Sequence, residues 1–389
     1  MNDHRNRADP PPEQPASRVR SRRTPASHDN GPAAGPVTVA VTGAATGVGL
    51  ALASALSQHP RVRRVIAIDD HKGPLTQVTW RVLDVREPAI VQRLAGCDVV
   101  VHAVVPDVPG REAEPSPENR ALAQARLVDG ARTVLTAAAA AGVSRAVLVS
   151  SAMVYGASRD NPVPLGEDAL VNAAADGSAL DGLLEIEELA ARARTVHPGL
   201  AVTVLRPAVL AGPGVDSVFT RHFVSTRLLV VKDSRPHWQF CHVDDLVSAL
   251  TLAALGAVHG VVTVASDGFL DQNQVEQIAG LRRIELPARI AYGTAERLHR
   301  LGMTPAPASQ LAYTAEPWVV PSTRLRAAGW RASHDNASAL RALLAENAAR
   351  AASGRRFGRD ATLGAAGATV AVLGTAAVVR QIRRQRRGG

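Results

Sequence analysis

Residues 37–58 read VTVAVTGAATGVGLALASALSQ, and this stretch decides the fold. An apolar run, VTVAVT, ends at Gly43, and GVGLALASALSQ follows with its apolar residues at helical spacing. The pattern predicts a buried strand that passes through a tight glycine turn straight into a helix. Within TGAATGVG, Thr42 to Gly49, each glycine has its own task. Gly43 permits the turn. Gly47 lets the backbone approach a pyrophosphate, whose charge is favoured at the helix N-terminus. Gly49 lets the helix pack closely on the strand. Thr42, Thr46 and Val48 complete the candidate dinucleotide loop.

An acidic residue, Asp69, stands 20 positions past Gly49 at the end of VIAIDD. A carboxylate there accepts hydrogen bonds from both ribose hydroxyls and repels a 2′-phosphate, so NAD is the expected cofactor rather than NADP. LDVRE places Asp84 and Val85 at the next strand end, where an adenine edge is read. In VVHAVV, His102 and Ala103 fall where the backbone passes the cofactor.

Beyond this unit the same alternation continues. RRVIAIDD, VTWRVLDV, CDVVVHAVV, RAVLVSS and LAVTVLRPAV are apolar runs separated by Ala/Leu-rich stretches such as ARLVDGARTVLTAAAAAGV. Continuous Val/Ile/Leu runs alternating with helices imply a parallel sheet covered on both faces. The expected fold is therefore α/β, a Rossmann-type doubly wound sheet over residues 37–211. The alternation breaks down from about Gly212. Residues 212–352, which include the helix of HVDDLVSALTLAAL, are expected to complete the fold with a smaller substrate lobe.

Composition narrows the class further. The chain has 389 residues, 46% of them hydrophobic, which is ample for a sizeable core. Aromatics make up only 3%, so Ala, Val and Leu must fill it. The net charge of +9 is concentrated in arginines at both ends, and no nucleic-acid-binding motif occurs, so no nucleic-acid partner is expected. Cys97 and Cys241 form no Cys-x-x-Cys pattern and read as small buried apolar residues in a reducing, cytoplasmic setting. The twelve histidines show no metal spacing, so no metal is expected.

Residues 1–36 hold seven prolines and no hydrophobic periodicity, and are expected to be a disordered tail. SRRT, Ser21 to Thr24, hints at a twin-arginine signal, but no apolar segment follows it. At the other end, within 353–389, Ala361 to Val379 is a 19-residue run without charge, flanked by arginines. It is long enough to cross a hydrocarbon core of about 30 Å, but poor in Leu and Val. Residues 361–387 are expected to bring the protein to a membrane surface, lying in the interface rather than spanning it. Small residues at four-residue spacing suit helix pairing, and a homodimer is one expected assembly.

Taken in order, TGAATGVG, the acidic end of VIAIDD, LDV, VVHAVV, VLVSSAMVYG, LRPAVLAGPG and CHVDDL resemble the short-chain dehydrogenase/reductase superfamily. The likeness is closer to its extended group of NAD-dependent epimerases/dehydratases, and it spans about residues 37–265. One departure is visible: the glycines are spaced G-x-x-x-G-x-G, as in the superfamily's other, shorter branch. The resemblance implies a serine that holds the substrate oxygen, a tyrosine whose phenolate takes a hydroxyl proton, and a lysine that lowers the tyrosine pKa. It also places Pro207 beside the cofactor and Arg206 and His242 near the substrate. Arg206 reads equally as a strand-end ion partner, and His242 equally as a helix cap.

The matching serine is Ser151. The tyrosine is expected about twenty-five residues later in a helix, with the lysine one turn on, but DGSALDGLLEIEELAARA contains neither. The chain has three tyrosines, Tyr155, Tyr292 and Tyr313, and two lysines, Lys72 and Lys232, and no tyrosine is followed by lysine at the fourth position. Leu127 stands where the family's helix asparagine is usual. Two substitutes are conceivable. Tyr155 could be activated by Arg159, or a carboxylate among Asp181, Glu185 and Glu187 could act as base. The expected function is accordingly an NAD-binding, epimerase/dehydratase-like protein, an oxidoreductase or nucleotide-sugar epimerase for an unidentified small molecule. The rival reading is a catalytically silent NAD-binding sensor or scaffold at the membrane.

Overall fold

The computed structural model describes residues 35–105, 117–225, 227–301, 304 and 306–356. The expectations for the N-terminal tail and for residues 361–387 lie outside the described residues. Among the described residues, no helix is long and apolar enough to cross a membrane.

The chain begins with β1 (Val37–Thr42), α1 (Gly47–Ser57), β2 (Val62–Asp69), β3 (Thr79–Val82), α2 (Ile90–Leu94), β4 (Val99–His102), α3 (Pro117–Ala140) and β5 (Arg145–Val149). It continues through a 3₁₀ turn (Ala152–Tyr155) to α4 (Ala179–Val196), β6 (Ala201–Pro207), β7 (Val209–Ala211), α5 (Val218–His222), β8 (Arg227–Val231), β9 (Phe240–His242), α6 (Val243–Ala254) and β10 (Val261–Val264). The last elements are α7 (Gln272–Ala279), β11 (Arg282–Leu286), α8 (Ala288–Arg300), a second 3₁₀ turn (Ala308–Thr314), α9 (Thr323–Ala327) and α10 (Asn336–Arg356).

Seven strands form one sheet in the order β10-β6-β5-β4-β1-β2-β3, and every pairing is parallel. Side chains alternate between its faces, and each face has its own cover. Val39, Val41, Val99, Val101, Val147 and Val149 share a cluster with Leu52 and Leu56 of α1 and Leu246 and Leu250 of α6. Ala40, Ile66, Ile68, Val100, Ala146 and Leu148 cluster instead with Ile90 of α2, Val134 and Ala138 of α3, and Ile186 and Ala190 of α4. Burial on both faces is why β1, β4 and β5 are largely apolar on both faces, with polar residues mainly at their ends. This is the Rossmann-type architecture expected from the sequence.

The order reverses direction between β1 and β4. From β1 the chain winds outward to β3, then crosses back to β4 on the opposite side. A crevice opens at such a switch point, above the carboxyl ends of the strands.

Two readings of the later chain are refined. LAVTVLRPAV is not one strand: β6 ends at Pro207, and β7 pairs with β9 in a separate two-stranded sheet. Proline carries no N–H to continue the ladder. The main sheet also draws its edge strand β10 from beyond residue 211. A third sheet, β8 with β11, packs Val231 and Leu286 against Ala291 and Ala315. Half of the few aromatics gather in this later portion: Phe219, Phe223, Trp238, Phe240, Tyr313 and Trp318 are all buried and in ring contact.

Candidate functional site

The crevice at the switch point is an open cleft. The glycine loop forms one wall. Gly43 and Gly47 both have positive φ, 73° and 53°. A Cβ on Gly49 would lie 1.9 Å from the Gly43 carbonyl oxygen, so the first turn of α1 rests directly on the loop and any side chain there is excluded. At Gly47 no atom would stand within 4 Å of a Cβ, so the loop backbone faces open space. Thr46, the N-cap of α1, makes no side-chain capping hydrogen bond. The N-terminus of α1 thus keeps unpaired N–H groups and a positive dipole end beside the cleft, which suits an anion.

Asp69, at the end of β2, is fixed by the same loop. Its Oδ2 accepts from the Ala45 N–H at 2.8 Å and its Oδ1 from the Asp70 N–H at 2.9 Å. The carboxylate lines the cleft with lone pairs left for hydroxyl donors. Asp84 lies at the next strand end, gripped by Arg86 through Nε at 3.0 Å and Nη2 at 2.6 Å. Those hydrogen bonds pull its pKa down to about 2.

Of the residues proposed for the cofactor, Gly43, Thr46, Gly47, Val48, Asp69, Asp84, Val85 and Ala103 line this one cleft. Thr42, Gly49 and Pro207 do not line it. Thr42 ties β1 to β4 beneath it, its hydroxyl 2.7 Å from His102 Nδ1. Burial drives the His102 pKa down to about 4, so the ring is neutral. Sequence reading missed Asp70, Val104, Val105, Arg126 and the opposite wall of Leu210, Pro213, Gly214 and Val215. Leu210 to Val215 follows the LRP stretch, which signalled a site but not that its continuation folds back across the glycine loop.

The residues proposed for chemistry sit deeper. Ser151 N-caps the first 3₁₀ turn, its Oγ accepting from the Met153 N–H at 3.2 Å. Tyr155 is buried, and its hydroxyl donates to the Glu167 carbonyl at 2.9 Å. Burial pushes the phenol pKa up, and Arg206 pulls back less strongly. The pairing of Tyr155 with Arg159 does not form: Arg159 is exposed and donates to the Asp233 carbonyl at 3.2 Å. The cation near Tyr155 is Arg206, whose guanidinium carbon lies 4.7 Å from the ring centroid.

Arg206 itself is buried and donates to both carboxylate oxygens of Glu187, at 2.8 and 2.7 Å. The other two carboxylates weighed as a base are also engaged. Asp181 accepts from the N–H groups of Asp176 and Gly177 at 2.8 and 3.1 Å, and Glu185 pairs with Arg132 on the surface at 2.6 Å. On the same helix Leu180 and Leu183 are buried in the core cluster that also includes Ala152 and Met153.

His242 is buried and caps α6, its Nδ1 accepting from the Asp244 N–H at 3.2 Å. Burial lowers its pKa, and His334 lowers it further. His242, Asp244 and His334 place ligand-type atoms within 4.8 Å of one another. However, the two imidazoles stack face to face at 3.7 Å, so their lone pairs do not converge on one point. Asp245 holds His334 from behind at 3.2 Å.

A model of the NAD-dependent epimerase/dehydratase family matches residues 39–264. An uncharacterized protein of Mycobacterium tuberculosis is 27% identical over 287 residues, covering 72% of this chain and 75% of that one. Among solved structures, MoeE5 in complex with UDP-glucose and NAD superposes with a TM-score of 0.58 at 23% identity, over 81% of this chain and 99% of that one. UDP-glucose 4-epimerase from Thermotoga maritima with UDP-glucose gives 0.58 at 16% identity over the same shares. Bordetella bronchiseptica WbmG in complex with NAD and UDP gives 0.58 at 18% identity, over 81% and 95%. At these identities the structural likeness establishes the fold.

Proposed function

The chain belongs to the NAD-dependent epimerase/dehydratase family, and on that footing we propose that it is an NAD-binding protein that does not run the family's tyrosine-based chemistry. The cleft suits the dinucleotide on three counts: the Cβ-free packing of Gly49 on Gly43, the open backbone at Gly47, and the carboxylate of Asp69. In this reading the N-terminus of α1 and Gly47 hold the pyrophosphate, and Asp69 holds the adenosine ribose. Asp84 and Val85 border the adenine. When bound, NAD supplies a hydride acceptor at its nicotinamide ring.

One observation carries the second half of the proposal. A carbinol carbon gives up its hydride only as its hydroxyl loses a proton, and, among the described residues, each group weighed as the acceptor of that proton, Tyr155, Asp181, Glu185 and Glu187, already has a partner. Tyr155 is committed as a donor to a buried carbonyl, and burial favours its neutral form. Glu187 is neutralised by Arg206. Ser151 retains the capacity to hold a ligand oxygen, so binding of a small molecule over the cofactor is compatible with the site.

The test is calorimetry with NAD, followed by incubation of the NAD-loaded protein with UDP-glucose, UDP-galactose and UDP-glucuronic acid. NAD binding without interconversion or NADH formation is expected. Steady turnover of any of these sugars would overturn the reading, and absence of NAD binding would remove its first half.

A further inference from the structure

The wall of the cleft opposite α1 is a strap, Gly212 to Ser217, without regular secondary structure. Two of its residues, Gly212 and Gly214, have φ of 122° and 76°, which only glycine adopts readily. It lies close over the glycine loop: a Cβ on Gly214 would stand 3.7 Å from the Gly47 Cα. The strap makes no ladder hydrogen bonds; Val215 is buried in the core and Ser217 is tied to Thr220, while Gly214 and Asp216 between and beside them are free of regular structure.

Its fastening comes from α10, more than a hundred residues further along the chain. Glu346 Oε1 accepts from the Gly214 N–H at 3.4 Å. Arg350 Nη2 donates to the Val215 carbonyl at 2.5 Å, and its Nη1 lies 3.8 Å from Asp216. Glu346 and Arg350, one helical turn apart, are paired at 3.1 Å. Asn347, between them, donates to the Thr220 carbonyl at 2.8 Å, just past the strap. Asp216 is steadied from the other side by Arg221 at 3.0 Å.

We infer that Glu346 and Arg350 are positioning residues that hold the strap over Gly47 and so set how fast NAD enters and leaves the cleft. The inference rests on the reading that the cleft takes NAD. Any ligand lying along Gly47 is bounded on its other side by Gly214 and Val215, so the strap flanks its path in and out of the open cleft. Its bonds to α10 are the polar links that a shift of Gly214 to Asp216 must break, beside the burial of Val215 and the Asp216–Arg221 pair. Both side chains are about one-third exposed, 27% and 32%, and ion pairs of that kind add little to global stability. Their effect therefore belongs in ligand exchange rather than in the fold.

The experiment measures NADH dissociation by stopped-flow fluorescence on the full chain, with thermal unfolding of the ligand-free protein as the control. Glu346→Ala and Arg350→Ala are expected to release NADH about fivefold faster or more, with the ligand-free melting temperature nearly unchanged. The double variant should be no faster than the faster single one, because the two act through one strap. Arg350→Lys keeps a cation and should stay within about twofold of wild type. If an alanine variant fails to fold, Arg350→Gln, which keeps the stem and a donor, is judged by the same criterion. Wild-type binding combined with variant release rates within twofold of wild type overturns the inference and leaves the NAD reading standing. A wild-type protein that binds neither NAD nor NADH overturns both.

Discussion

The Arg206 guanidinium and the Glu187 carboxylate form a two-bond pair, 2.8 and 2.7 Å, with both side chains at or below 7% exposure. It joins α4 to β6 beneath the serine turn, and Arg206 also covers the face of Tyr155. Removing one partner leaves the other charge buried and unpaired. Glu187→Ala is expected to cost about 3–5 kcal/mol of stability, measured by urea unfolding. A loss below about 1 kcal/mol would show that water reaches Arg206 and that the pair is not sealed.

Tyr155→Phe should leave NAD affinity unchanged while lowering stability by about 1–2 kcal/mol. The phenol is a hydrogen-bond donor to the Glu167 carbonyl in a buried setting, and phenylalanine orphans that acceptor. Calorimetry and denaturation on the same preparation separate the two effects. An intact fold with NAD affinity reduced tenfold would place the tyrosine in the cofactor site instead.

Gly49→Ala tests the packing of the loop. The added methyl would meet the Gly43 carbonyl oxygen at 1.9 Å, which is backbone and has no rotamer to yield. The loop or α1 must move, so a destabilisation of about 1–3 kcal/mol and loss of NAD binding are expected together. Retention of NAD affinity in the alanine variant would mean that the loop does not hold the pyrophosphate.

Asp69→Ala is expected to lower NAD affinity and narrow the preference over NADP. In the proposed reading the carboxylate accepts from the ribose hydroxyls and repels a 2′-phosphate. It also braces the Ala45 N–H at 2.8 Å, so some loss of loop order accompanies the change. Competitive titration with both dinucleotides gives the answer, and an unaltered NAD-to-NADP ratio would count against the assignment.

The buried His102 and the half-buried His222 give stability a defined pH dependence. Burial holds His102 and His222 at about 4, against 6.5 when free. Above pH 6.5 neither state binds these protons and the folded protein is at full strength. Between 6.5 and 4 the unfolded chain takes up protons that the fold refuses, so stability falls as pH falls, by up to about 1.4 kcal/mol per pH unit for each histidine. His102→Gln should remove about half of that slope. A stability that is flat from pH 7 to 4.5 would mean that both rings are protonated within the fold.

The sequence by itself determined the sheet and the loop. Runs such as VTVAVT and RAVLV specify strands buried on both faces, and TGAATGVG with Asp69 marked residues that do share one cleft, because these depend on residues near one another in the chain. It also determined that no tyrosine has a lysine four residues on. Only the tertiary structure decided what replaces that pair. Glu187 looked like a free carboxylate on an amphipathic helix until β6 brought Arg206 against it. Tyr155 looked available to Arg159 until the loop after it carried the Glu167 carbonyl to its hydroxyl. The strap over Gly47 and its fastening to Glu346 and Arg350 left no local pattern either, since their partners lie 132 and 135 positions away. Propensity and periodicity act over a turn or a strand, whereas charge neutralisation and wall-building depend on which distant groups the packed core sets side by side.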